Sequence, residues 1–175
     1  MQLLNDVRNY NTLSKEEKLN IIAFLTAVSS LLSVIDAILT GPFLIKLGMA
    51  NLITLILINE KRALLAFFVL LSRIFISSLM TGSLLTLAFL LSLSGGLTSW
   101  GAMYIARILF KKASLIGISV IGAFFHIIGQ SIWIIIFFGF TNSNIFLISL
   151  FSMVGIITGI IVGVLGNLFY KSLAL

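Results

Sequence analysis

The sequence predicts an all-α integral membrane protein, a bundle of six transmembrane helices with its N and C termini in the cytoplasm. Three observations predict it. Apolar residues make up 60% of the chain and charged residues only 9%, against roughly 25% charged in ordinary soluble domains. The charges gather in short clusters between long uncharged runs. The basic clusters recur at every second turn, as expected when basic loops stay in the cytoplasm. A soluble chain of 175 residues could not hide this much apolar surface in one core.

The rest of the composition narrows the function. The chain has no cysteine, which excludes disulfides and thiolate metal sites. Its net charge of +6 does not point to nucleic acid, because the basic residues flank apolar runs instead of lining one polar face. Residues 1–18 are polar and mixed in charge. The apolar run after them lacks a small-residue cleavage site followed by a soluble body, so no cleavable signal peptide is expected. Residues 1–175 read as a single transmembrane domain with 1–18 as a cytoplasmic N-terminal segment.

The elements follow in chain order. Ser14-Lys15-Glu16-Glu17 has the pattern of a capping box, so the first helix should start near Lys15. It should end near Ile38, where Thr40, Gly41 and Pro42 break the pattern. Leu47 to Asn59 gives only 13 uncharged residues, short of the roughly 17–25 of a straight span. Two readings are open: a short span shielded by its neighbours, or irregular backbone over Gly41–Gly48 dipping into the protein, which is allowed only where protein covers it. Glu60-Lys61-Arg62 forms the next polar turn. Ala63 to Ala106 carries one charge, Arg73, and holds two spans separated near Thr81-Gly82. Arg107, Lys111 and Lys112 follow. Ala113 to Tyr170 is uncharged and is split by Thr141-Asn142-Ser143-Asn144. The expected spans are therefore 19–38, 47–59, 63–80, 83–106, 113–139 and 145–170. Of the 11 basic residues, only Lys46 and Arg73 do not fit cytoplasmic loops. Leftover intramembrane charges are functional candidates.

Arg73 lies about 11 residues into the third span, which at about 1.5 Å per residue is near mid-bilayer. An arginine there costs about 2.5–3.5 kcal/mol on insertion scales, so it should face the protein interior or water. It could anchor an anionic or carbonyl-bearing ligand, or bond a neighbouring helix. His126 lies at a similar depth in the fifth span. Gly122, His126 and Gln130 share one helix face at i, i+4 and i+8, with Ser119 and Trp133 close by. This polar stripe could line a cavity or bond another helix. The fourth span carries Ser92, Ser94, Gly95, Gly96 and Ser99, where adjacent glycines permit close approach of another backbone. Gly155, Gly159 and Gly163, then Gly166, form a small-residue packing ridge in the sixth span. Ala23 and Ala27 in the first span form a flat groove facing inward or toward a partner. Absent motifs also matter: there is no Walker A sequence, no HExxH and no GxSxG. The only aspartates are Asp6 and Asp36, so the aspartate-rich magnesium sites of a prenyl-chain synthase cannot be built.

The run Lys46-Leu47-Gly48-Met49-Ala50-Asn51-Leu52, then Arg73, then Ser92–Ser99 with Gly95-Gly96, then Gly117 through Gln130, resembles the family called heptaprenyl diphosphate synthase component I, or Gx transporter. The resemblance runs from about Asp36 to Gly166. The chain departs from it at Ile127, where the family usually has asparagine. The family in turn is similar to the S components of energy-coupling factor transporters, six-helix membrane subunits that capture a vitamin or similar metabolite. Such subunits associate with a transmembrane coupling protein and two ATPases, and their first helix carries an AxxxA docking motif, here Ala23 and Ala27. The resemblance implies a non-enzymatic uptake subunit of the bacterial cytoplasmic membrane, without cofactor or metal. Its substrate-binding residues would be Lys46, Asn51, Arg73, Ser94, Gly95, His126 and Gln130. Lys46 and Arg73 would suit an anionic or strongly polar head group, and the apolar remainder an isoprenoid or quinone precursor. Two alternatives stand beside it: an ion-coupled secondary transporter protonated at His126, and a non-catalytic membrane subunit of a prenyl diphosphate synthase.

Overall fold

The fold is known from a computed structural model that describes residues 2–40 and 48–174. Lys46 and most of the Gly41–Gly48 stretch lie outside the described residues. The elements are α1 (Gln2–Arg8), a 3-10 turn (Tyr10–Thr12), α2 (Lys15–Thr40), α3 (Asn51–Asn59), α4 (Ala63–Met80), α5 (Leu87–Leu109), α6 (Leu115–Phe138) and α7 (Asn142–Ala174). The described residues contain no strand. Four helices are long and apolar enough to cross a membrane: α2 over Lys15–Leu39, α4, α6, and α7 over Asn142–Lys171. The chain is a multi-pass helical membrane protein.

Helix ends follow local chemistry. At the start of α2, the Ser14 amide donates to Glu17 Oε2 at 2.8 Å and the Glu17 amide donates to Ser14 Oγ at 3.3 Å. This reciprocal pair is the capping box that the sequence predicts. Ser114 caps α6 by accepting from the Gly117 amide at 3.1 Å. Gly139, with φ of +80°, ends α6 in a conformation that suits glycine. The Asn144 side chain then donates to the carbonyls of Phe138 and Gly139, satisfying groups that the helix end leaves open.

α3 has nine residues, which at about 1.5 Å per residue span about 14 Å. It is a short helix shielded by its neighbours, since it touches α2, α4, α5, α6 and α7. Its residues from Ile53 to Ile58 are buried. α5 is long enough to cross a membrane at 23 residues, but Ser92, Ser94, Gly95, Gly96, Thr98 and Ser99 dilute its apolar character.

α5, α6 and α7 pack side by side, and small residues set the spacing. A Cβ added at Gly163 would lie 2.5 Å from the Ile116 Cα, and one at Gly159 would lie 3.0 Å from the Val120 Cα. Between α5 and α6, a Cβ at Gly129 would lie 2.7 Å from the Ser94 carbonyl oxygen. Thr98 uses that closeness to donate to the Phe125 carbonyl at 2.9 Å. The outer faces of α6 and α7 expose Ile136, Phe137, Phe146, Ile157 and Leu168, the surface expected toward lipid.

The two chain ends meet at one end of the bundle. Arg8 pairs with Glu60 at 2.9 Å, and the Tyr170 hydroxyl donates to the same carboxylate. Arg62 donates to the carbonyls of Val7, at 3.0 Å, and Arg8. The turn between α3 and α4 therefore anchors both α1 and the end of α7. Burial pushes the Glu60 carboxyl up, but the Arg8 and Tyr170 hydrogen bonds and the charges of Arg8 and Arg62 outweigh it. The net result lies below the usual carboxylate value.

Two outcomes are expected. Gly163→Ala pushes a methyl into the α6 backbone, which costs about 1–3 kcal/mol, more than alanine returns in helix propensity, about 0.5–1 kcal/mol. Gly155→Ala meets the Ile127 side chain at 3.1 Å and the Ala123 carbonyl oxygen only at 3.7 Å, an ordinary contact. Thermal unfolding in detergent should show a lower midpoint for the first and near-native behaviour for the second. Because the native Glu60 pKa is depressed, its stabilising contribution is complete above the ordinary carboxylate range and is lost as the pH falls through the native value. Hydrogen exchange in α1 should therefore rise below about pH 4, and Arg8→Ala should give the same rise at neutral pH.

Candidate ligand-binding site

Polar residues on α2, α3, α4, α5 and α6 meet in the middle of the bundle. On α2, Thr26, Ser29, Ser30, Ser33 and Asp36 are all buried, and their spacing places them on one face of the helix. The Ser33 hydroxyl donates to Ser77 of α4 at 3.4 Å. Asp36, 2% exposed, accepts the Gly48 amide at 2.7 Å. Gly48 has φ of +84°, and this turn brings its N–H onto the carboxylate just before α3.

Asn51 opens α3 and is buried. Its carbonyl oxygen accepts from Arg73 Nη2 at 3.4 Å, and its amide donates to the Ser99 hydroxyl at 3.3 Å. One asparagine thus joins α3, α4 and α5. Arg73 is 5% exposed, and the negative charge of Asp36 acts on it. An arginine enclosed among helices is tolerable only with such answering groups.

On α6, Ser119, Gly122, His126 and Gln130 are buried on the inward face, while Trp133 is half-buried. The Gln130 side-chain amide and His126 Nε2 share a hydrogen bond at 2.9 Å. Gly95 is the surface on which this pair rests, since a Cβ there would lie 2.9 Å from Gln130 Cγ and 3.0 Å from His126 Cε1. Its neighbour Gly96 faces α4 instead, where a Cβ would meet Ile74 and Leu70 at 3.1 Å and Arg73 Nη2 at 3.8 Å.

Two narrow cavities run through this region, each with room for little more than a water-sized molecule. Asn51, Ser99, Ser119 and Ile127 line one. Ser33, Asp36, Arg73 and Ser92 line the other. Gly48 and His126 border both. Arg73 Nε and Gln130 Oε1 are buried and have no hydrogen-bond partner among the described residues. An unmatched buried polar atom costs about 1–3 kcal/mol, so both atoms are positioned to gain from a bound group. No three His, Asp or Glu side chains gather as a metal site among the described residues.

The family model for heptaprenyl diphosphate synthase component I matches residues 25–169. The chain belongs to this family. No curated protein and no solved structure matches the chain. The region matched to the component I family contains every polar residue of the cluster, from Thr26 on α2 to Gln130 on α6, and leaves out α1 and its Arg8 anchor.

Of the residues singled out by sequence, Asn51, Arg73, His126 and Gln130 are buried within this region, and Gly95 supports two of them. Ser94 has a different place. It is half-buried and turns its hydroxyl back onto the Leu90 carbonyl at 2.9 Å, while Ser92 and Ser99 line the cavities. Lys46 lies outside the described residues. Asp36 belongs to the cluster, although in the sequence it reads only as the end of an apolar run. Its signal was the helical spacing that puts it on one face with Ser29, Ser30 and Ser33.

Asn51→Ala should remove one partner from Arg73 and one from Ser99 at a buried position. The expected loss is about 1–3 kcal/mol, read as a lower unfolding midpoint in detergent. Ser94→Ala, which alters only a bond within α5, should leave that midpoint nearly unchanged.

Proposed function

We propose that this chain is the substrate-binding membrane subunit, an S component, of an energy-coupling factor uptake transporter in the bacterial cytoplasmic membrane. It would have no catalytic activity of its own. The observation that carries this reading is the buried cluster of Asp36, Asn51, Arg73, His126 and Gln130, held by several helices and still carrying unmatched atoms. A purely structural bundle gains little from enclosing so many polar groups, because helix contacts of this kind are worth only about 0.6–2 kcal/mol each.

The helical layout supports the reading. Six helices of nine residues or more, α2 to α7, would make six crossings with both termini in the cytoplasm, and the shared Glu60 anchor puts the chain ends at one end of the bundle. Ala23 and Ala27 are exposed on the outer face of α2, beside Phe24. They are the proposed docking surface for a transmembrane coupling protein that works with two ATPases. The substrate would be a small metabolite with a polar head and an apolar body, such as an isoprenoid or quinone precursor. Asp36 lines the same cavity as Arg73, so a bound head group would meet a carboxyl as well as the guanidinium, which favours a polar head over a bare diphosphate.

A second reading rests on the family description itself. A component of heptaprenyl diphosphate synthase could be a non-catalytic membrane subunit that holds a soluble synthase. An ion-coupled transporter working through His126 is the less favoured alternative, because His126 is the one histidine of the chain and its bond to Gln130 is equally explained by a binding role.

Co-expression with a coupling protein and its ATPases separates these readings. ATP-dependent uptake of a tritiated metabolite should appear only with all subunits present, and Ala23→Trp with Ala27→Trp should abolish co-purification. Arg73→Ala and His126→Ala should each weaken substrate binding by about tenfold, as expected for a lost charge-assisted or buried hydrogen bond. Uptake driven by a pH gradient in liposomes holding this protein alone would support the ion-coupled alternative. Retention of a soluble synthase without any small molecule would support the second reading.

A further inference from the structure

A cavity of about 210 Å³ lies where the 3-10 turn meets the start of α4, far from the polar cluster and much larger than the two cavities there. Its polar wall is Lys61 and Arg62, its apolar wall Leu64 and Phe68, and Tyr10 closes one side. The two walls differ in what they offer. Lys61 is exposed, and the one ion pair among the described residues, Arg8–Glu60, leaves it without a carboxylate. Arg62 is fixed by its bonds to the Val7 and Arg8 carbonyls, so its guanidinium is held in place beside Lys61. Lys18 adds further positive charge, lying 5.8 Å over the Tyr10 ring. α4 starts here without a side-chain cap, and the first residues of that helix line the cavity, so its positive end reinforces the basic wall. Leu64 and Phe68 are 69% and 51% exposed and continue from the cavity onto the outer face of α4.

We infer that this cavity binds the phosphate head of an anionic amphiphile, with the tail lying outside along Leu64 and Phe68. The volume admits a head group and not a whole lipid. Basic residues at a membrane surface attract anionic heads, and the paired apolar wall selects a phosphate that carries a hydrocarbon chain. A bilayer phospholipid and a prenyl diphosphate share this chemistry.

Native mass spectrometry of the purified full chain tests it with four probes: phosphatidylglycerol, phosphatidylcholine with the same tails, farnesyl diphosphate and inorganic phosphate. Either or both anionic amphiphiles should bind at least about fivefold tighter than phosphatidylcholine. The tighter of the two names the source: the bilayer if phosphatidylglycerol, a soluble prenyl pool if farnesyl diphosphate. Lys61 has φ of 60°, which asparagine tolerates, so Lys61→Asn removes the charge without new strain. It should erase the preference, while Lys112→Asn at the exposed turn after α5 should keep it. Leu64→Ser should weaken the tailed probes and leave inorganic phosphate unchanged, a check independent of the Lys61 variant. Equal binding of phosphatidylglycerol, farnesyl diphosphate and phosphatidylcholine would overturn the inference. So would an unchanged preference in folded Lys61→Asn, or inorganic phosphate binding as tightly as the tailed anions.

Discussion

A guanidinium enclosed in a bundle of apolar helices has to be answered by other helices, and most of the interior follows from that. Arg73 of α4 turns one nitrogen to Asn51 of α3 and feels the charge of Asp36 on α2. Asn51 passes the constraint on to Ser99 of α5. Asp36 passes it to the Gly48 amide, just before α3. Each of these bonds requires one register between two helices. Together they fix how α2, α3, α4 and α5 sit along the bundle axis, which apolar contacts between smooth helices leave loosely specified. The short α3 makes sense in this setting. Its nine residues are enough to carry Asn51 to the centre and to fill the space between longer neighbours.

α5 joins the two polar halves. Consecutive residues on a helix point about 100° apart, so Gly95 and Gly96 face different neighbours. Gly95 meets the His126–Gln130 pair on α6, and Gly96 meets Leu70, Ile74 and the edge of Arg73 on α4. Side chains at both places would push α4 and α6 apart and widen the gap between the arginine and the histidine. α7 follows the same logic with less at stake: its glycines seat it on α6, while most of its surface is left to lipid.

Much of this was legible in the sequence, and the reasons are specific. The ends of α2, α4 and α6 were readable because a capping box, a charged turn and a Thr-Asn-Ser-Asn break are local signals that tertiary context rarely overrides. The inward stripe on α6 was readable because an apolar helix in lipid has no other place for His126 and Gln130. Two things were not readable. Ser94 and Ser92 stand two residues apart in a serine-rich run, and which one lines a cavity depends on helix rotation, which packing decides. Asp36 closes an apolar run within the first helix, and its bond to the Gly48 amide joins residues 12 apart, which helical spacing alone does not show. With Asp36 in view, the region around Arg73 is no longer simply cationic.

The geometry also bears on how so narrow an interior could serve the proposed role. The bonds in the cluster are of two kinds. Those between Gly48 and Asp36, at 2.7 Å, and between Gln130 and His126, at 2.9 Å, are short. Those linking Arg73, Asn51 and Ser99 are 3.4 and 3.3 Å, beyond the usual range of about 2.7–3.2 Å. A group that replaced the long bonds with well-placed ones would lose little and gain two things. It would satisfy Arg73 Nε and Gln130 Oε1, which have no partners among the described residues. The short bonds would meanwhile keep Asp36 and His126 in place as fixed walls. The bonds of Arg73 and Ser99 to Asn51 are therefore the ones that a bound group would most readily replace.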